Sequence, residues 1–114
     1  MIVFICGKCR IEDYERYKAV ETDITDAGHK AVNPLKFIQM VGETNSEKIA
    51  NINIALLDLC DSIYLLGDAQ DSPFANRMIG YAIAKEMTFL NEVSLTRYYH
   101  SDEMEERKEV RYED

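Results

Sequence analysis

The chain opens on a continuous apolar run, Ile2-Val3-Phe4-Ile5-Cys6, which stops at Gly7. Continuous rather than alternating apolarity predicts a strand covered on both faces, as in a parallel sheet. From Ile11 to Ala27 the pattern changes. Tyr17, Val20, Ile24 and Ala27 recur at helical steps with charges between them, which predicts an amphipathic helix stopped by Gly28. A brief strand is expected at Ala31-Val32, closed by Asn33-Pro34. Leu35 to Glu43 carries apolar residues without a sustained period and reads as a loop with one helical turn. Thr44 and Glu47 offer a capping box for a second helix, with a buried stripe of Ile49, Ile52, Leu56 and Leu59. Ser62 to Leu66 predicts another strand, ending at Gly67. Ser72-Pro73 is a strong helix start, because Ser suits the N-cap and Pro lacks an N–H that would be unpaired there. Ala75, Ile79, Ala82 and Ile83 form the expected inner face of that helix, and Met78, Ala82 and Ile83 read as core. Thr88-Phe89-Leu90 predicts a fourth strand.

Strands alternating with helices imply right-handed βαβ units. The expected architecture is α/β, with one parallel sheet of four or five strands, helices on both faces, and the Ile2 strand in the interior. In such sheets ligands bind beyond the carboxyl ends of the strands. That places candidate chemistry in three loops: Gly7 to Arg10, Asn33-Pro34, and Gly67 to Ser72.

Composition narrows the function classes. The 114 residues carry 13 Lys and Arg against 21 Asp and Glu, a formal net charge of -8. A net-acidic domain lacks the sustained positive field that non-specific nucleic-acid binding needs. No apolar run approaches the roughly 20 residues of a membrane span. The first apolar stretch has no basic leader, as a signal peptide would. Three cysteines do not make a disulfide framework, which favours a reducing cytoplasm. The organisation expected is a domain over 1–92 and an acidic C-terminal extension over 93–114, helical or partly disordered. Its last 14 residues hold seven acids and three bases.

Cys6-Gly7-Lys8-Cys9 has the C-x-x-C spacing of a redox pair, but the strand–helix–strand continuation suits a doubly wound sheet better than a thioredoxin core. Cys60, His29 and His100 show no metal-ligand spacing, so no metal and no cofactor is expected. Gly7 lets the backbone turn tightly, while Lys8 and Arg10 place positive charge beside helix N–H groups, an arrangement that suits a phosphate-like anion. Asp71 and Ser72 stand at the start of the third helix, whose amides offer a second contact. Tyr14 and Tyr81 are placed near enough to the mouth to stack on a ring.

The ordered set Phe4 to Arg10, Val32-Asn33-Pro34, Leu59 to Leu66, and Ser72 with Ala82 to Glu86 resembles the nucleoside 2-deoxyribosyltransferase-like superfamily, in particular its short bacterial and phage members. The resemblance spans about residues 2 to 90. It implies a flavodoxin-like (Rossmann-like) fold, a homodimer or larger assembly, and chemistry at the N-glycosidic bond of deoxynucleosides or their monophosphates. A glutamate on the third helix is the family's nucleophile, and an aspartate on the second helix positions base or sugar. Gly7 and Arg10 match the family's first phosphate loop, and Ser72 matches its Ser. Phe74 stands where the pattern has Gly, Met78 where it has the nucleophilic Glu, and Asn53 where it has Asp. A thioether cannot carry the negative charge or form the ester that covalent glycosidic cleavage requires. No Glu or Asp lies between Ser72 and Lys85 to replace it.

The reading is therefore a non-catalytic protein that binds a nucleotide or phosphorylated sugar through Gly7, Lys8, Arg10, Asn33, Asn53, Asp71 and Ser72. Two alternatives stand beside it. One is an active N-glycosidase or deoxyribosyltransferase with relocated acids. The other is an interaction module with a vestigial pocket. Self-association is expected too, with the apolar residues between Leu35 and Val41 available to a partner chain.

Overall fold

The computed structural model describes residues 1–92, which form a single four-stranded sheet with helices packed on both faces. The strands are β1 (Ile2–Cys6), β2 (Lys30–Val32), β3 (Ser62–Leu65) and β4 (Thr88–Leu90). The helices are α1 (Tyr14–Asp26), α2 (Pro34–Val41), α3 (Ser46–Leu57) and α4 (Pro73–Ala84). All pairings are parallel and the order is β2-β1-β3-β4, as in the first four strands of a flavodoxin-like fold. β1 is interior, with Val3 opposite both Ala31 and Ser62.

Strand alternation divides the core. Val3 and Ile5 point to the side of α1, where Tyr17, Val20, Ile24, Tyr64, Leu66 and Leu90 complete one cluster. Phe4, Cys6 and Ile63 point the other way, against Leu57 of α3 and Ala75, Met78 and Ala82 of α4. The small residues Ala75 and Ala82 let α4 lie close to the sheet. Burial on both faces is why Val3 to Cys6 reads as an unbroken apolar run, while Ile2 at its start is exposed.

Four local expectations are corrected. Pro34–Val41 is a helix, not a loop with one turn. Asn33 caps it by accepting from the Leu35 and Lys36 amides, both at 3.1 Å, and Gly42 ends it in the left-handed region at φ +74°. Thr44 does not cap α3; the Asn45 side chain does, accepting from the Lys48 amide at 3.0 Å. The Glu43 carboxylate instead receives the Thr44 and Asn45 amides, which holds it ionised below the usual carboxylate range.

The buried face of α3 is Ala50, Asn53 and Leu57 rather than the Ile49–Ile52–Leu56–Leu59 stripe, and Leu59 is exposed. Apolar residues nearly encircle this helix, so its period is ambiguous by one position. Ile83, expected on the inner face of α4, is exposed, while Ala75, Met78 and Ala82 are fully buried. Boundaries shift slightly elsewhere. A 3-10 turn over Ile11–Asp13 precedes α1, and β3 stops one residue short of Leu66. The ring of His29, for which the sequence suggests no partner, has Nδ1 3.2 Å from the Met1 amine. The acidic extension over 93–114, with His100, lies outside the described residues.

Candidate functional site

In the order β2-β1-β3-β4 the chain direction across the sheet reverses between β1 and β3. Ligand crevices in such sheets form at this switch point, outside the carboxyl ends of the two strands. Here the segment after β1, Gly7 to Asp13, faces the segment after β3, Leu66 to Ser72. The Leu66 amide donates to the Cys6 carbonyl at 3.0 Å, so the two loops leave the sheet side by side.

Gly7 is buried because Leu66 and Tyr17 close over it. A Cβ on Gly7 would stand 2.5 Å from Leu66 Cδ1 and 3.0 Å from the Tyr17 hydroxyl. Cys9 follows with φ +58°, a conformation that costs a side-chain-bearing residue of order 1 kcal/mol or more. It is held there by the Tyr17 hydroxyl, which accepts the Cys9 amide at 3.0 Å. The Cys9 thiol also lies within hydrogen-bonding reach of Asn53 and Tyr17. Asn53 is thereby brought from α3 to the β1 loop. It is almost fully buried, and its amide donates to the Ile49 carbonyl at 2.9 Å.

The charged residues of the mouth form a continuous relay. Lys8 Nζ is 3.9 Å from Asp68. Arg16 donates to both Asp68 oxygens, at 2.8 and 3.2 Å, in a two-pronged contact. Its Nη1, shared with Asp68, also lies 3.6 Å from Asp13, and Asp13 in turn accepts from Arg10 at 3.0 and 3.3 Å. The Arg10 guanidinium holds the Asp13 carboxyl below its ordinary range, and the Arg16 guanidinium does the same for Asp68. Three cations and two carboxylates leave one positive charge over these five residues. Sequence reading finds Lys8 and Arg10 but misses Arg16. The Asp13–Arg16 helical spacing is a visible signal; the contact to Asp68, 52 residues away, is not.

The remaining candidates are placed as follows. Ser72 caps α4, its Oγ accepting from the Ala75 amide at 3.2 Å. Asp71 is exposed, at the end of a 3-10 turn over Ala69–Asp71. Asn33 is buried after β2, where it caps α2 and donates to Glu21 Oε1 at 3.2 Å. Met78 has no exposed surface and packs among Phe4, Cys6 and Ala75. Tyr14 is half-buried against the α1 cluster. Tyr81 does not reach the mouth: it lies near the far end of α4, its hydroxyl donating to Asp58 at 3.2 Å, beside the Lys85–Asp58 ion pair at 2.7 Å.

Beside the crevice, on the α1 side, a cleft of about 400 Å³ is lined by Arg16, Val20, Asp23, Tyr64, Gly67 and Glu92, among others. Arg16 therefore belongs to both the ion-pair relay and the cleft wall.

The Cys6 and Cys9 thiols are pushed up by burial, to about 12 and about 11. A reactive thiolate pair needs the opposite shift, and Cys6 and Cys9 pack against the two core clusters. Among the described residues, no group of three His, Cys, Asp or Glu side chains could hold a metal ion. No helix among them is long and apolar enough to cross a membrane. No protein-family model matches the chain, and no curated protein matches it.

Proposed function

We propose that this protein binds a nucleotide or phosphorylated sugar at the switch-point crevice without cleaving it. The observation that carries this reading is the gathering of Lys8, Arg10 and Arg16 through Asp68 and Asp13 at the switch point, where ligands of such sheets bind. Guanidinium groups match phosphate oxygens in two-pronged contacts, and a helix N-terminus adds partial positive charge. Two positions support the absence of cleavage: Met78 is sealed in the core and Asn53 is an amide, and the Asp13 and Asp68 carboxylates of the mouth are held by guanidinium groups. The local positive charge persists against the overall charge of -8, because solvent ions screen the distant acids.

Titration with deoxynucleoside monophosphates, followed by calorimetry and by assay for free base, tests both halves. Saturable binding with intact nucleotide is expected. Release of base would support the relocated-acid alternative, and no binding would support the interaction module.

A homodimer is the second element of the proposal. Phe37, Met40 and Val41 lie exposed along α2, and an apolar strip on a helix next to a sheet edge suits a second copy of the chain. Light scattering at micromolar concentration should give twice the mass of one 13.2 kDa chain. The mass of a single chain would count against it.

A further inference from the structure

We propose that the Asp68 carboxylate occupies an anion site as an internal stand-in, and that a phosphate monoester binds by replacing it on Arg16 and Lys8. The inference rests on the binding reading above and names its ligand class and its competitor.

Asp68 takes the two-pronged contact from Arg16 and lies within ion-pair distance of Lys8, the geometry an incoming phosphate would use. It is partly exposed, so its side chain can turn into water. Its loop need not move. The Asn76 amide donates to the Gln70 carbonyl at 2.9 Å, and the Ser72 amide to the Ala69 carbonyl at 3.1 Å, which pins the turn behind it. Gly67, just before Asp68, has no neighbour that a side chain would meet, so the backbone entering the loop is uncrowded.

Charge selects the ligand. With Asp68 turned away, Lys8, Arg10 and Arg16 face only Asp13 within the relay, a surplus of two positive charges. A phosphate monoester carries about two negative charges at neutral pH and a carboxylate one. The exchange therefore favours the dianion. The adjoining cleft gives the rest of such a ligand room beside Arg16. Asp23 in its wall disfavours a second phosphate, so a ligand with a single terminal phosphate fits best.

The test compares wild type with Asp68→Asn, titrating each with inorganic phosphate, acetate and thymidine monophosphate. Removing the competitor should tighten phosphate binding about tenfold and leave acetate weak. Adding Arg16→Gln to Asp68→Asn should abolish the gain. In wild type, phosphate should also move the Arg16 Nε–H and Asp68 resonances, a readout that does not depend on the variant folding. Unmoved resonances, an unchanged affinity in Asp68→Asn, or a gain that survives Arg16→Gln overturns the exchange. Phosphate and thymidine monophosphate each binding equally to both proteins overturns the exchange and leaves the nucleotide reading standing. A phosphate gain with no added affinity for thymidine monophosphate supports the exchange and removes the nucleoside from the reading. No binding of any probe to either protein overturns both.

Discussion

Leu66 lies so close over Gly7 that any side chain at position 7 would force the Leu66 side chain to move. A methyl group on Gly7 would stand 2.5 Å from Leu66 Cδ1, well inside contact distance. The Gly7→Ala substitution should destabilise the protein by roughly 1–3 kcal/mol, the usual range for overpacking. The same change in a Leu66→Ala background should cost less, because the clash is gone. Urea unfolding of the four proteins measures the coupling, and strictly additive effects would show that the clash relaxes elsewhere.

Met78 should tolerate Leu and reject Glu. Its side chain is fully enclosed by the Phe4–Cys6–Ala75 cluster. Met78→Leu is expected to cost less than about 1.5 kcal/mol, whereas Met78→Glu buries a charge without a partner and should cost at least about 3 kcal/mol. Thermal unfolding decides. A Met78→Glu protein as stable as wild type would mean that this position can open to the crevice.

The Arg10–Asp13 contact should be visible in acid. Arg10 lowers the Asp13 carboxyl in the folded chain, so the contribution is complete above the ordinary carboxylate range near 4. It fades as pH falls through the lowered folded value. Arg10→Gln should therefore weaken the protein at pH 7 and matter progressively less below pH 4. Equal losses in urea melts at pH 7 and at pH 2 would argue against this linkage.

The thiols predict the opposite flank. Burial raises Cys6 and Cys60 to about 12 and Cys9 to about 11. The folded state thus holds these protons more tightly than the unfolded chain. Their stabilisation is complete below the ordinary thiol range near 8.5 and declines as pH rises toward the folded values. The slope should reach up to about 1.4 kcal/mol per pH unit for each thiol. At pH 8 a thiol reagent should label the folded protein far more slowly than the unfolded one. Fast labelling of Cys9 under native conditions would contradict this account.

The elements of the sheet were legible where one periodicity dominates. Ile2 to Cys6 and the Tyr17–Val20–Ile24 stripe each allow one reading, and each lies where expected. α3 and the inner face of α4 are ambiguous in sequence because apolar side chains lie on several sides of each helix. There the buried face is settled by which small residues allow close approach, something no single helix reveals. α2 is hidden in the sequence although Asn33, Pro34 and Gly42 mark both its ends, because those residues also read as loop punctuation. At the site, Gly7, Lys8 and Arg10 were found from local sequence. Asp68 lies in the second candidate loop, but Arg16 and its contact with Asp68 have no local signal, since their meeting depends on strand order.

That strand order also dictates how the chain must assemble. β1 pairs with β2 through residues 28 apart, Ile2 with Lys30, but with β3 through residues 59 apart, Val3 with Ser62. The short loop closes at lower entropic cost, so a β1–α1–β2 unit can condense first, leaving one side of its central strand unpaired. That bare edge, apolar and lacking its neighbour, is the species most prone to pair with another molecule during refolding.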